Sequence, residues 1–483
     1  MIQTYRIKRR YLFLGLVFFG ICFLVGVGTY NVYKPLPSGL SFAGQIRPAA
    51  EISFYRDLTW VDQEGKRHCE QEIFDKILKM IAGSKYFIVL DMFLFNDFIG
   101  KESTSYRSLA QEVTDALVAQ KTKYPEIRIV VITDPINTVY HGMNNSYLAR
   151  MEAENIQVVF TILDRLRDSN PAYSAFWRIF VRPFGNSHGS LLPNPFGKGS
   201  VTLRSYLAMF NFKANHRKLI ICDEGDSYAA LITSANPHDG SAAHGNVAIY
   251  FKGAAVLDLL QTENAVLRFS GEAAVVPNQA ERQNSTDTEM TLQIVTERKI
   301  KDVLLAALNR AGAGDNLTMI TFYLSDRDIV RALKKAAGRG ASVRILLDPN
   351  KDAFGREKFG IPNRQVAAEL VKQDIPVRWS NTHGEQMHTK MLMVEYKDGR
   401  SFLLAGSENF TRRNLEDLNL ETDIAIKGPA TKTIFADTGR YIDLLWHNAD
   451  GREFSLDYLE YADNSFHRLL LYRWMEATGM STF

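Results

Sequence analysis

Two short stretches place a histidine and a lysine two residues apart, His216-Arg217-Lys218 and His388-Thr389-Lys390. Each is followed, after four intervening residues, by a carboxylate, Asp223 and Glu395, and then by Ser-x-Asn, as Ser234-Ala235-Asn236 and Ser407-Glu408-Asn409. A single His-x-Lys says little in a chain with ten histidines. Two copies with matched surroundings say much more. On a β-strand, residues i and i+2 share a face, so each imidazole converges with its ammonium. A tight turn carrying Ser-x-Asn can bring an amide to the same place. Two such units about a pseudo-twofold axis would surround one small volume with two histidines, two lysines and two asparagines. That volume suits a phosphodiester: the lysines and amides would hold the non-bridging oxygens and stabilise the five-coordinate transition state. One imidazole can attack phosphorus while the other protonates the leaving oxygen. Metal binding fits poorly, because a protonated lysine is not a ligand and no His/Cys/carboxylate set has a familiar spacing.

The elements that would position these residues repeat along the chain. EIFDKILKMIAGSKYFIVLDMFLFND reads as an amphipathic helix and an apolar strand, and IKDVLLAALNRAGAGDNLTMITFYLSD follows the same pattern. Both halves then give a helix and a strand ending in Asp-Pro, at Asp134-Pro135 and Asp348-Pro349. A further helix and strand follow, and then the His-x-Lys strands. Five matched elements in sequence predict an α/β fold, two duplicated halves packed about a pseudo-twofold axis. The halves differ in one place: roughly fifty residues separate Thr161 from His216, against a few between Trp379 and His388. This insertion, 162–213, is rich in aromatic residues and lacks clear periodicity, a pattern often functional. Two readings are open for its aromatics, a private packed subdomain or a surface for acyl chains.

Arg6, Lys8, Arg9 and Arg10 precede residues 11–30, which contain no charge. About twenty apolar helical residues cross a bilayer core of about 30 Å. An uncleaved transmembrane helix is expected, favoured over a cleaved signal by its length. The basic cluster should stay cytoplasmic, which puts the remaining chain on the extracytoplasmic side of the cell membrane in a single pass. The chain then divides into a basic N-terminus and anchor (1–30), a linker (31–50) and a first half (51–272). A polar linker (273–291) leads to a second half (292–483) with a C-terminal helical extension, read either as interfacial or as docked. The net charge of +3 is too mild for a dedicated nucleic-acid binder, and three scattered cysteines suggest no disulfide framework.

The paired motifs resemble those of the phospholipase D superfamily, two copies of H-x-K-x4-D…G-S-x-N. The membrane anchor and Asn419-Leu420-Glu421 after the second motif look most like cardiolipin synthase-type members. The resemblance implies that His216 and His388 are nucleophile and acid/base, with His216 the expected nucleophile. It implies phosphate contacts from Lys218, Lys390, Asn236 and Asn409, supported by Ser234 and Ser407. Asp223 and Glu395 join the catalytic set in a supporting role. Glu421 is a candidate to orient a histidine across the site, where the first half offers Asn246. Thr233 stands for the usual Gly and Glu395 for the usual Asp. The spacing from carboxylate to Ser-x-Asn is three and four residues longer than the family pattern. No cofactor or metal is implied. The expected partners are a phospholipid substrate, the bilayer, and an alcohol or water acceptor, with nucleic acid as the rival substrate.

Overall fold

Short runs rich in Val, Ile and Leu fit a pleated surface buried on both faces, and they form two large sheets. The computed structural model describes residues 2–49, 51–100, 106–189, 191–277, 289–353, 356–481 and 483. The first sheet is built on β1 (Glu51–Val61), β2 (Phe87–Met92), β3 (Arg128–Thr133), β4 (Gln157–Phe160), β5 (Lys218–Glu224), β6 (Ser227–Thr233) and β7 (Asn246–Lys252). The second is built on β8 (Thr291–Thr296), β9 (Asn316–Thr321), β10 (Ser342–Leu347), β11 (Val377–Ser380), β12 (Lys390–Glu395), β13 (Arg400–Gly406) and β14 (Thr422–Pro429).

The strand orders are β1-β7-β6-β5-β2-β3-β4 and β8-β14-β13-β12-β9-β10-β11. In both, β2-β3-β4 or its counterpart β9-β10-β11 is parallel and every other neighbour in these series is antiparallel. The two sheets therefore share order and direction over seven strands, as the sequence repeat predicts.

Alternation along the strands builds the layers. Leu219 and Ile221 of β5 face a central layer with helices Ala255–Phe269 and Thr433–His447, which Met391 and Met393 of β12 face from the other side. Ile220 and Cys222 face outward onto helices Ile73–Gly83 and Leu109–Lys123. Leu392 and Val394 face the opposite outer layer, with helices Arg298–Arg310 and Arg327–Gly338.

Arg217 and Thr389, the middle residues of the two motifs, share parity with Leu219 and Met391 and so point into the central layer. Thr389 Oγ1 lies 2.8 Å from Tyr441 Oη. Arg217 is fully buried, with Nη1 2.7 Å from Glu263 and Nη2 2.7 Å from Glu297. Removing one member of such a buried set strands the others without a partner. Arg217→Ala is accordingly expected to cost about 3–5 kcal/mol, read as a lower urea midpoint in detergent solution.

The segment 31–50, expected as a linker, is tied to the second sheet instead. Arg47–Pro48 pairs with β8, Ala43 bridges Val295, and Arg47 forms an ion pair with Asp258 at 2.7 Å. The unpaired edge of β8 recruits this passing chain. Residues 278–288 of the second expected linker lie outside the described residues. The insertion is also folded rather than an aperiodic loop: it contains helices Pro171–Phe180 and Leu203–Met209 and a short strand pair, Leu192–Pro193 with Ser200–Val201. Its pieces are too short to register as a period. The C-terminal helix Phe466–Thr478 docks through buried Tyr472 and Glu476, which meet Ser325 O and Ser325 Oγ at 2.8 Å each. Phe466, Leu470 and Trp474 on the same helix are exposed.

Candidate active site

The two motif strands begin where the halves touch, and each half completes the other. Asn215 pairs with Leu420, and Gly245 pairs with Met387, both as parallel bridges. His216 N donates to Leu420 O at 2.9 Å and His388 N donates to Gly245 O at 2.7 Å. The repeated Asp-Pro sequences serve this junction. Asp134 accepts the Asn215 N–H at 2.8 Å and Asp348 accepts the Met387 N–H at 2.9 Å, fixing the residue just before each histidine.

Crossing the interface by one residue more places an acceptor against each imidazole. His216 Nδ1 lies 2.7 Å from Glu421 Oε1. His388 Nδ1 donates to Ser234 O at 2.9 Å and lies 3.3 Å from Asn246 Oδ1. Asn414 Nδ2 and Ser407 Oγ also donate to Glu421. Lys218 Nζ and Lys390 Nζ each donate to the carbonyl of the histidine two residues before, at 2.5 and 2.6 Å. Phe93 and Phe322, one residue past β2 and β9, pack at a tilt against His216 and His388 with ring centroids 4.8 and 5.2 Å apart. Asn236 Oδ1 accepts from Leu94 N at 3.1 Å, and Asn409 is buried with its Oδ1 unpartnered.

Not every expected residue joins this cluster. Asp223 sits five residues beyond Lys218, about 17 Å along an extended strand, and accepts the N–H groups of Lys85, Tyr86 and Phe87 at 2.8–2.9 Å. Glu395 ends β12 exposed. Both are therefore removed from the catalytic set: strand length carries them to the opposite end of the sheet. The serine hydroxyls are also engaged away from a phosphate. Ser234 Oγ donates to Asn246 Oδ1 and accepts from Val247 N, while Ser407 Oγ donates to Glu421 and accepts from Thr422 N. Each supports the side chain that holds the opposite histidine. Phe93, Phe322, Asn414 and Glu297 were not singled out from sequence. The phenylalanines had a signal, the matched position after each apolar strand.

Burial sets the electrostatics. It pushes both imidazoles well below the ordinary histidine range, aided for His216 by Lys218 and for His388 by Lys390. It raises Glu421 to about 8 against the pull of Lys218. Burial lowers Lys218 to about 7, with Glu421 opposing, and burial with the neighbouring Lys218 lowers Lys390 well below the ordinary lysine range. An anion between the lysines favours their charged forms, so its binding takes up protons. The Lys218 contribution to affinity for a dialkyl phosphate, which does not titrate in this range, should be full below pH 7. It should then fall by up to about tenfold per pH unit above. Calorimetry in buffers of different ionisation heat would detect the uptake; affinity constant from pH 6 to 9 would rule it out.

Residues 304–446, which include His388, Lys390, Ser407, Asn409 and Glu421, match the family model described as "Cardiolipin synthase, PLD-like domain". That match lies in the second half of the chain, the part that carries the second His-x-Lys motif. The phosphatidylserine synthase of Haemophilus influenzae is similar in structure to this chain with a TM-score of 0.55 at 11% identity, over 94% of this chain and 98% of that one. At that identity the likeness shows the fold alone. Two weaker likenesses carry no argument. Polyphosphate kinase from Porphyromonas gingivalis has a TM-score of 0.44 at 10% identity, over 89% of this chain and 54% of that one. Nuc, a phospholipase D family member from Salmonella typhimurium, has 0.27 at 19% identity, over 35% and 99%. No curated protein matches this chain.

Proposed function

We propose that this protein is a membrane-anchored enzyme that transfers the phosphatidyl group of a phospholipid through a phosphohistidine on His216. The observation that carries the reading is the crossed hold on the two imidazoles: each Nδ1 is fixed by the opposite half, leaving Nε2 of both for chemistry. In this reading the phosphate lies between Lys218 and Lys390, with the amides of Asn236 and Asn409 beside them. Binding of the anionic substrate brings a proton from solvent onto His388 Nε2; Nε2 of His216 then attacks phosphorus, the P–O bond to the leaving alcohol breaks, and His388 gives that oxygen its proton. His388 then takes the proton of the incoming alcohol or water, whose oxygen displaces His216 from phosphorus. An alcohol acceptor such as the glycerol end of phosphatidylglycerol gives a transferase; water gives a phospholipase.

The helix α1 (Ile2–Tyr33) supports the anchor. Over Arg9–Tyr33 it is long and apolar enough to cross a membrane, and most of its apolar side chains are exposed. The extracytoplasmic placement of the enzyme rests on the basic residues before it. The test is product analysis with detergent-solubilised full chain given phosphatidylglycerol, phosphatidylethanolamine or nucleic acid. The expected product from phosphatidylglycerol is a lipid with two phosphatidyl groups and four acyl chains, released together with the leaving alcohol. Phosphatidate alone would replace transfer by hydrolysis, and cleavage of nucleic acid alone would overturn the lipid reading.

A further inference from the structure

The insertion 162–213 meets α1 at the level where a span would leave the bilayer. If the apolar core starts at residue 11, about twenty residues carry it across about 30 Å, to residue 30. At that height Gly28 packs against Pro171, the first residue of helix Pro171–Phe180, and Asp168 N donates to Asn31 O at 3.0 Å. The insertion helix is thus held beside the last turns of α1. One face of it is committed to protein: Ser174 and Ala175 are buried, and Arg178 is paired with Asp168 at 2.7 Å. Another face is not. Phe176 and Phe180 on this helix, and Phe184 in the turn Arg182–Phe184 that follows it, are 45%, 52% and 69% exposed.

Charge agrees with this placement. The insertion contains seven Lys or Arg against two Asp and no Glu, an excess of five positive charges in a chain whose total is +3. Aromatic side chains with a basic surround match the headgroup boundary of a bilayer carrying anionic lipid.

We infer that the Phe176-Phe180-Phe184 row is a membrane-docking face that enters the headgroup boundary of the same anionic bilayer that α1 crosses. The inference rests on the reading of α1 as a membrane span. Docking there brings the substrate's source to the catalytic centre. The insertion ends at Lys213, three residues before His216, and Lys213 clamps its base by donating to Leu166 O at 3.0 Å and pairing with Asp168.

The test uses full-length protein labelled with an environment-sensitive fluorophore and reconstituted in phosphatidylcholine vesicles containing phosphatidylglycerol. In a Cys69→Ser background, native Cys22 reports the span and Phe180→Cys, with Cys22→Ser, reports the docking face. Brominated lipids should quench Cys22 when the bromine lies deep and the residue 180 reporter when it lies near the headgroup. A quenched Cys22 with an unquenched residue 180 reporter overturns docking and leaves the span intact. An unquenched Cys22 removes the span and the proposal with it. In the triple variant Phe176→Ser, Phe180→Ser, Phe184→Ser, turnover of vesicle lipid should fall about tenfold while turnover of a soluble short-chain phosphodiester is kept. Equal losses on both substrates would also overturn the proposal.

Discussion

Alanine at His216 is expected to lower phospholipid turnover by at least about 10⁴-fold, because the nucleophile and its route are removed together. His388→Ala should cost about 10²–10⁴-fold, the usual range for a positioned acid or base. The two variants differ in kind as well as size. A p-nitrophenyl leaving group needs no proton, so the His388→Ala protein should still form the phosphohistidine. It should then stall, since the acceptor must also lose its proton. A burst of one nitrophenolate per active site, with the adduct mapped by mass spectrometry to His216, is the expected outcome. His216→Ala should give no burst. An adduct on His388 would exchange the roles, and more than a trace of turnover in His216→Ala would sink the covalent route.

Glu421→Gln is the second large effect. Glu421 lies on the Nδ1 side of His216, away from Nε2, and orients the ring through the 2.7 Å contact. Replacing an orienting carboxylate by an amide can invert the tautomer and costs up to about 10⁴-fold in kcat. We expect a loss of about 10²–10⁴-fold in kcat with KM nearly unchanged, because binding in the ground state does not use this contact. The pseudo-equivalent change, Asn246→Ala, should cost tenfold or less (about 1 kcal/mol), since His388 Nδ1 keeps its 2.9 Å bond to Ser234 O. Equal losses in the two variants would show that the carboxylate has no special claim on His216.

Much of this was legible in the sequence, for identifiable reasons. His216 and His388 could be read because spacing along a strand is local and period two is unambiguous. Glu421 and Asn246 required the halves to be placed against each other, and only the family resemblance pointed to them. Asp223 and Glu395 misled because a spacing is not a distance: a strand of seven residues carries its far end out of the site. The serines misled because a hydroxyl beside a phosphate-type motif looks like a ligand until its partners are seen. The insertion and the segment 31–50 were opaque for another reason. Short helices without a sustained period, and a strand of two residues that exists only through its partner, leave almost no trace in a single chain.

The contact between His216 and Glu421 joins residues 205 apart. A ribosome adds about 5–20 residues per second, so roughly 10–40 s pass between making the nucleophile and making the carboxylate that orients it. His388 also arrives late, and Asn246 must wait for it. On the proposed function, a nascent first half would hold its nucleophile without the carboxylate that orients it, so the site would be completed only after residue 421 has been made.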